Sequence, residues 1–354
     1  MPESKMTETS SNFLHFLRAI ASQIVVVGHI LALNHLVSNS LMSFLPSFSV
    51  MIFLVISGYI ISYTSDAKGK KYGLFNYLVD RFSRIYVALI PALLLTLVLG
   101  IICFNYIKTS AFDLNLKHLV CTVLMQQENP LLLQFQYMLP NTENYNFIGI
   151  FGPNIPLWSL SIEWWLYMFF GLVYFKGIDE FKMKHYVLLF CSLPFVIGYM
   201  FLQGRAGYGL TFIWFSGVIV NHLANKTLNI KASHLLFFIF LIFTLISIKT
   251  VPNISIIFFI VFFFFAIKHF NRLSNNNIYN SLFKLAKWPG NYSYSIYIIH
   301  YPIVFILSSL NLNPVSKFVL CIVIANFLAL IFYLLFERHH KLINTKIKKL
   351  FNSN

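Results

Sequence analysis

Charge is what this chain has least of. Only 10% of its 354 residues are charged, and just 11 of them are Asp or Glu. Soluble domains carry about 25% charged residues, so there is too little charge here to coat a soluble globule of this size. A soluble enzyme and a disordered scaffold are both excluded. Cysteine is sparse too. Cys103, Cys121, Cys191 and Cys321 are scattered through apolar segments, with no CxxC and no metal-ligand histidine spacing. No disulfide framework, zinc site or other metal is expected. No small-residue cleavage site follows the first apolar run, so no removable signal peptide is expected. Internal repeats are missing, and so are the short alternating segments of a transmembrane barrel.

What is abundant is apolar surface. Hydrophobic residues make up 58% of the chain, with 39 Phe and 19 Tyr. The apolar residues fall in ten continuous runs, at about 14–36, 43–64, 85–107, 157–176, 186–203, 207–223, 233–249, 252–269, 293–310 and 315–337. Each is close to the roughly 20 residues a helix needs to cross a bilayer. The expected fold is all-α, a polytopic membrane protein of about ten transmembrane helices. An eleventh stretch, Leu119 to Met125, is too short to span and belongs at an interface or in a re-entrant turn.

Net charge is +15, which in a soluble protein would raise nucleic acid as a partner. Here the basic residues follow the spans. With the N-terminus inside, 21 of the 26 Lys and Arg fall on the inner side and 5 on the outer. That asymmetry places both termini in the cytoplasm. Membrane lipids, and no nucleic acid, are the partners this charge implies. Residues 1–340 read as one integral-membrane domain and 341–354 as a basic cytoplasmic tail resting on anionic headgroups. The long loop from Lys108 to Pro156 falls on the outer face. Its half from Glu128 to Asn154 is rich in Asn, Gln, Pro and aromatics. Such a loop is a plain connector or a binding lid, and its composition suits a neutral polar ligand such as a sugar.

Polar residues inside apolar spans carry the functional information, because an ionisable group near the bilayer centre costs at least ~2.5–3.5 kcal/mol. In the first span Arg18 and His29 are eleven residues apart. At about 100° per residue that is three turns plus roughly 20°, so both lie on one face, separated by about 16 Å of rise. Arg18 snorkels to headgroups or binds an anion. His29 hydrogen-bonds a neighbouring helix or serves as a general base near neutral pH. Arg81 and Arg84 form a possible two-guanidinium fork for phosphate, or simple topogenic charge. Ser159, Glu163 and Tyr167 recur every four residues on one stripe. Glu163 is either half of a salt bridge or the group that orients a histidine or binds a hydroxyl. Tyr297, His300 and Tyr301 share a face beside Pro302, which frees a backbone carbonyl one turn earlier. They line a polar chamber or only a structural kink. Gly58, between Ser57 and Tyr59, permits close helix packing.

Taken together these residues resemble the membrane-bound acyltransferase family 3, the O-acyltransferases of cell-surface polysaccharides. The resemblance rests on Arg18 with His29, on Ile56-Ser57-Gly58-Tyr59, and on Arg81-x-x-Arg84. It rests further on Trp158-Ser159-Leu160-Ser161-Ile162-Glu163, and on Ser295-Ile296-Tyr297 leading to His300-Tyr301-Pro302. It implies an acyl-CoA donor, acetyl-CoA by preference, with no permanently bound cofactor. The acceptor it implies is a sugar hydroxyl of a lipid-linked or cell-surface glycan, at a bacterial inner membrane. By that resemblance His29 is catalytic, with Glu163 and His300 lining the reaction chamber. Arg18, Arg81 and Arg84 engage the CoA phosphates, and Tyr167, Tyr297 and Tyr301 complete the substrate site. The family often ends its last helix with Glu-basic-Pro; here Glu337-Arg338 is followed by His339, which leaves Glu337 without an assigned role. A small-molecule transporter with an intramembrane His/Glu/Arg site is the rival class.

Overall fold

The computed structural model describes residues 6–36, 39–106, 114–138, 148–176, 180–224, 230–250, 252–273 and 277–352. Among these residues the regular structure is helical, and the one isolated bridge joins Gly204 and Gly207 in a turn. In chain order the helices are α1 (Glu8–Leu33), α2 (Asn39–Lys68), α3 (Leu74–Tyr106), α4 (Leu116–Val123) and α5 (Pro130–Met138). Then come α6 (Trp158–Phe175), α7 (Met183–Phe201), α8 (Leu210–Ala224), α9 (Ile230–Thr250) and α10 (Pro252–Arg272). The chain ends with α11 (Asn277–Leu285), α12 (Lys287–Asn291), α13 (Ser293–Ser308), α14 (Pro314–Leu335) and α15 (His340–Asn352).

Each of the ten apolar runs contains a helix. Six stretches among the described residues are long and apolar enough to cross a membrane: Glu8–Leu33, Phe44–Lys68, Leu74–Ile102, Met183–Phe201, Ile254–Arg272 and Pro314–Phe351. Leu210–Ala224, Ser233–Ile248 and Ser293–Ser308 are apolar but shorter. The eleventh stretch is α4, a helix of 8 residues, far below bilayer thickness. Local signals set several boundaries. Asn313 caps α14 by accepting from the Ser316 N–H at 2.8 Å, and Pro314 stands first in the helix, where its missing N–H costs nothing.

The chain divides into two compact units. The first holds residues 1–25, 39–69 and 203–293. In it α2 packs on α8, where Gly58 lies against the Trp214 carbonyl and Gly217 against the Val55 carbonyl. A Cβ at either glycine would collide with backbone, so the close packing expected at Gly58 is present. In the same unit Phe13, Phe237, Phe262, Phe270 and Phe283 form a continuous aromatic cluster.

The second unit holds residues 26–38, 70–202 and 294–354. Here α3 meets α6, with Gly171 against the Tyr77 ring, and α7 meets α5, with Gly198 against Pro130. Basic α15 is anchored to the start of α3. Asp80 accepts from Lys348 Nζ at 2.6 Å and from Asn344 Nδ2 at 2.8 Å.

Candidate active site

The site is built from α13 outward, within the second unit. Pro302 has no N–H, so the carbonyl of Ile298 one turn earlier loses its helical donor. Asn154 supplies a replacement, its Nδ2 donating to that carbonyl at 2.7 Å in a fully buried contact. The same stretch of α13 carries His300, which is 0% exposed. Its Nδ1 lies 2.9 Å from the Ile296 carbonyl and 2.9 Å from the Tyr297 carbonyl. Carbonyls only accept, so Nδ1 carries a proton, and in the neutral form of the ring Nε2 is a lone pair. Nε2 is buried with no protein partner among the described residues. Leaving a buried polar atom unsatisfied costs about 1–3 kcal/mol, so this atom calls for a donor from elsewhere.

His29, near the end of α1, reaches the same place from the other end of the sequence. Its ring centroid is 5.4 Å from that of His300, with the planes 31° apart. It also meets Tyr301 edge to face at 4.9 Å and 87°. His29 is half-buried, whereas Tyr301 is 9% exposed. Two histidines some 270 residues apart in sequence are thus neighbours in space.

The stripe on α6 faces this cluster through Tyr297. The Tyr297 hydroxyl donates to the Pro156 carbonyl at 2.5 Å and therefore accepts from Ser159 Oγ at 2.6 Å. One turn on, Glu163 accepts from the Tyr167 hydroxyl and lies close enough to Tyr297 to interact with it electrostatically. Another hydroxyl, that of Tyr77 on α3, donates to the Tyr167 carbonyl at 3.0 Å. The four-residue spacing of Ser159, Glu163 and Tyr167 is realised as one polar face on a helix whose other residues are mostly buried and apolar.

The two arginines of α3 are differently committed. Arg84 pairs with Glu337 at 2.7 Å and lies over the Tyr294 ring at 5.8 Å. Arg81 lies over the rings of Tyr77 and Tyr167, at 5.6 and 6.0 Å. Its Nε is buried with no hydrogen-bond partner among the described residues. Of this pair, one guanidinium is therefore neutralised by a carboxylate and the other held by aromatic faces. Arg18 lies on the part of α1 that belongs to the first unit, about three turns before His29.

Glu337 is the residue that sequence reasoning left without a role. It is 0% exposed and caps the start of α13, accepting from Ser295 N–H at 3.0 Å and Ser295 Oγ at 2.5 Å. Its position at the end of an apolar run was a signal. Its partners, 42 and 253 residues away, left none. Asn154 enters the sequence reading only through the polar composition of its loop, and Gln127 carries no separate signal. No group of three or more His, Cys, Asp or Glu able to hold a metal ion occurs among the described residues.

The family model for the acyltransferase domain, acyltransferase family 3, matches residues 11–336. That range takes in every site residue named above except Glu337, which lies one position beyond it. Neither the curated proteins nor the solved structures contain a match.

Proposed function

The chain belongs to acyltransferase family 3, and from that premise we propose that it is an integral-membrane O-acyltransferase acting on a glycan. The donor is cytoplasmic acyl-CoA, acetyl-CoA by preference. The acceptor is a sugar hydroxyl of a lipid-linked or cell-surface polysaccharide such as O-antigen, capsule or exopolysaccharide. The topology that goes with this reading has ten spans and both termini in the cytoplasm of a bacterial inner membrane. In it the three shorter apolar helices and α6 span together with the six long stretches.

The observation that carries the proposal is the meeting of His29 with His300 and Tyr301, inside a chain matched to acyltransferases. In the proposed reaction His29 takes the proton of the acceptor hydroxyl as its oxygen attacks the thioester carbonyl, a step worth about 10²–10⁴-fold. The new C–O bond forms, the C–S bond breaks, and the departing thiolate of CoA takes up the proton that His29 received. His300 offers the Nε2 lone pair to the bound sugar. Glu163, held by Tyr167, acts on the site through Tyr297, which lies beside His300. Arg81, whose buried Nε has no hydrogen-bond partner among the described residues, suits the anionic end of the donor. Arg84 contributes less there, because Glu337 already neutralises it.

Radiolabelled acetyl-CoA, purified protein and a membrane extract of lipid-linked glycans test this reading. Transfer of label to glycan supports it. A folded protein that neither binds acetyl-CoA nor transfers label refutes the donor assignment, and a transport assay then tests the rival class.

A further inference from the structure

The long loop contributes more than a connection. Gln127 is 2% exposed and its Nε2 donates to the Leu157 carbonyl at 3.0 Å. Asn154 is 0% exposed and its Nδ2 donates to the Ile298 carbonyl. In each case a backbone carbonyl claims the NH₂ group, which fixes the amide the other way round and leaves the side-chain oxygen as the remaining polar atom. Both oxygens, Gln127 Oε1 and Asn154 Oδ1, are buried and have no partner among the described residues. His300 repeats the pattern, since its Nδ1 is claimed by carbonyls and its Nε2 is left over.

The three groups are tied to one piece of structure, the turn at Ile155–Leu157 and the helix α13. Gln127 holds the end of that turn, Asn154 precedes it, and Tyr297 on α13 holds its middle residue, Pro156. All three leftover atoms are neutral acceptors. A ligand that satisfies them must bring donors and no negative charge, which describes hydroxyl groups. A phosphate or a carboxylate would meet only lone pairs.

We propose that Gln127 Oε1 and Asn154 Oδ1, together with His300 Nε2, accept hydrogen bonds from the hydroxyls of the acceptor sugar. Gln127 and the turn that follows Asn154 thereby form the acceptor subsite. This rests on the acyl-transfer reading above and adds the residues that choose a polyol as acceptor.

Gln127→Met and Asn154→Leu remove the acceptor oxygen. Gln127→Glu and Asn154→Asp keep one, and when protonated keep a donor for the backbone carbonyl as well. With an extract of lipid-linked glycans as variable acceptor, the apolar variants raise the KM for extract about tenfold, equivalent to about 1.4 kcal/mol. Under the same conditions the acidic variants stay within about twofold, and the KM for acetyl-CoA is unchanged in all four. Equal KM values for extract across wild type and variants would overturn the proposal, leaving ordered water as the partner of these atoms. So would equal rises in the apolar and acidic variants, which would mark a structural role. Should Gln127→Met fail to fold, Asn154→Leu makes the same comparison from a second position. Thermal stabilisation of the protein by extract alone separates this idea from the reaction. Stabilisation lost in the apolar variants, with no transfer by wild type, keeps the sugar subsite and refutes acyl transfer. No stabilisation of a wild type that also transfers nothing refutes both.

Discussion

The most informative structural perturbation is at Glu337. Its carboxylate is fully buried, holds Ser295 through two hydrogen bonds and pairs with Arg84 at 2.7 Å. Glu337→Gln keeps the shape but removes the charge, leaving the Arg84 guanidinium without its counter-ion. Removing one partner of a buried pair costs about 3–5 kcal/mol. The Arg84 side chain is 27% exposed, so water recovers part of that loss, and about 2–3 kcal/mol is expected. Arg84→Gln should cost a similar amount by stranding the buried carboxylate. The double variant should be less destabilised than the two singles combined, with a coupling of about 1–3 kcal/mol. Equilibrium unfolding in detergent micelles, monitored by tryptophan fluorescence, measures all three. Because Ser295 lies in the first turn of the helix that carries His300, transfer activity should fall alongside stability. Additive effects within about 0.5 kcal/mol would refute the pair as a stabilising unit.

Other outcomes follow from separate parts of the molecule. Gly217→Ala drives a Cβ into the Val55 carbonyl; backbone cannot rotate away, so a loss of about 1–3 kcal/mol is expected, read as a lowered melting temperature. A melting temperature equal to wild type would contradict the close approach of α2 and α8. Arg81→Gln removes a charge from a group held by two aromatic rings, and should raise the KM for acetyl-CoA about tenfold with little change in the KM for glycan. Arg84→Gln should raise it less, since Glu337 already occupies that guanidinium; an equal rise would restore the two-arginine fork.

Much of the helix content was legible because continuous apolar runs leave few alternatives to a helix. What composition alone left open was how deeply the shorter helices sit, since α8 and α13 are briefer than the sequence runs implied. In the site, the stripe of Ser159, Glu163 and Tyr167 followed from helical period. The freed carbonyl at Ile298 followed from Pro302. The group that satisfies it, Asn154, lies 144 residues earlier, and no local pattern announces such a partner. Glu337 shows the same limit. A buried carboxylate is readable only with its donors, and those come from α3 and α13. The short helix α5 also escaped the reading of its segment as a loop, because nine residues flanked by polar chain carry little periodic signal.

The central claim is that His29 performs acyl transfer beside His300. Purified wild type, His29→Ala and His300→Ala should be compared for binding of radiolabelled acetyl-CoA and for passage of label to lipid-linked glycan. The account predicts that all three bind donor, that His29→Ala transfers at least about 10²-fold more slowly, and that His300→Ala chiefly loses acceptor affinity. Undiminished transfer by a folded His29→Ala protein would contradict it.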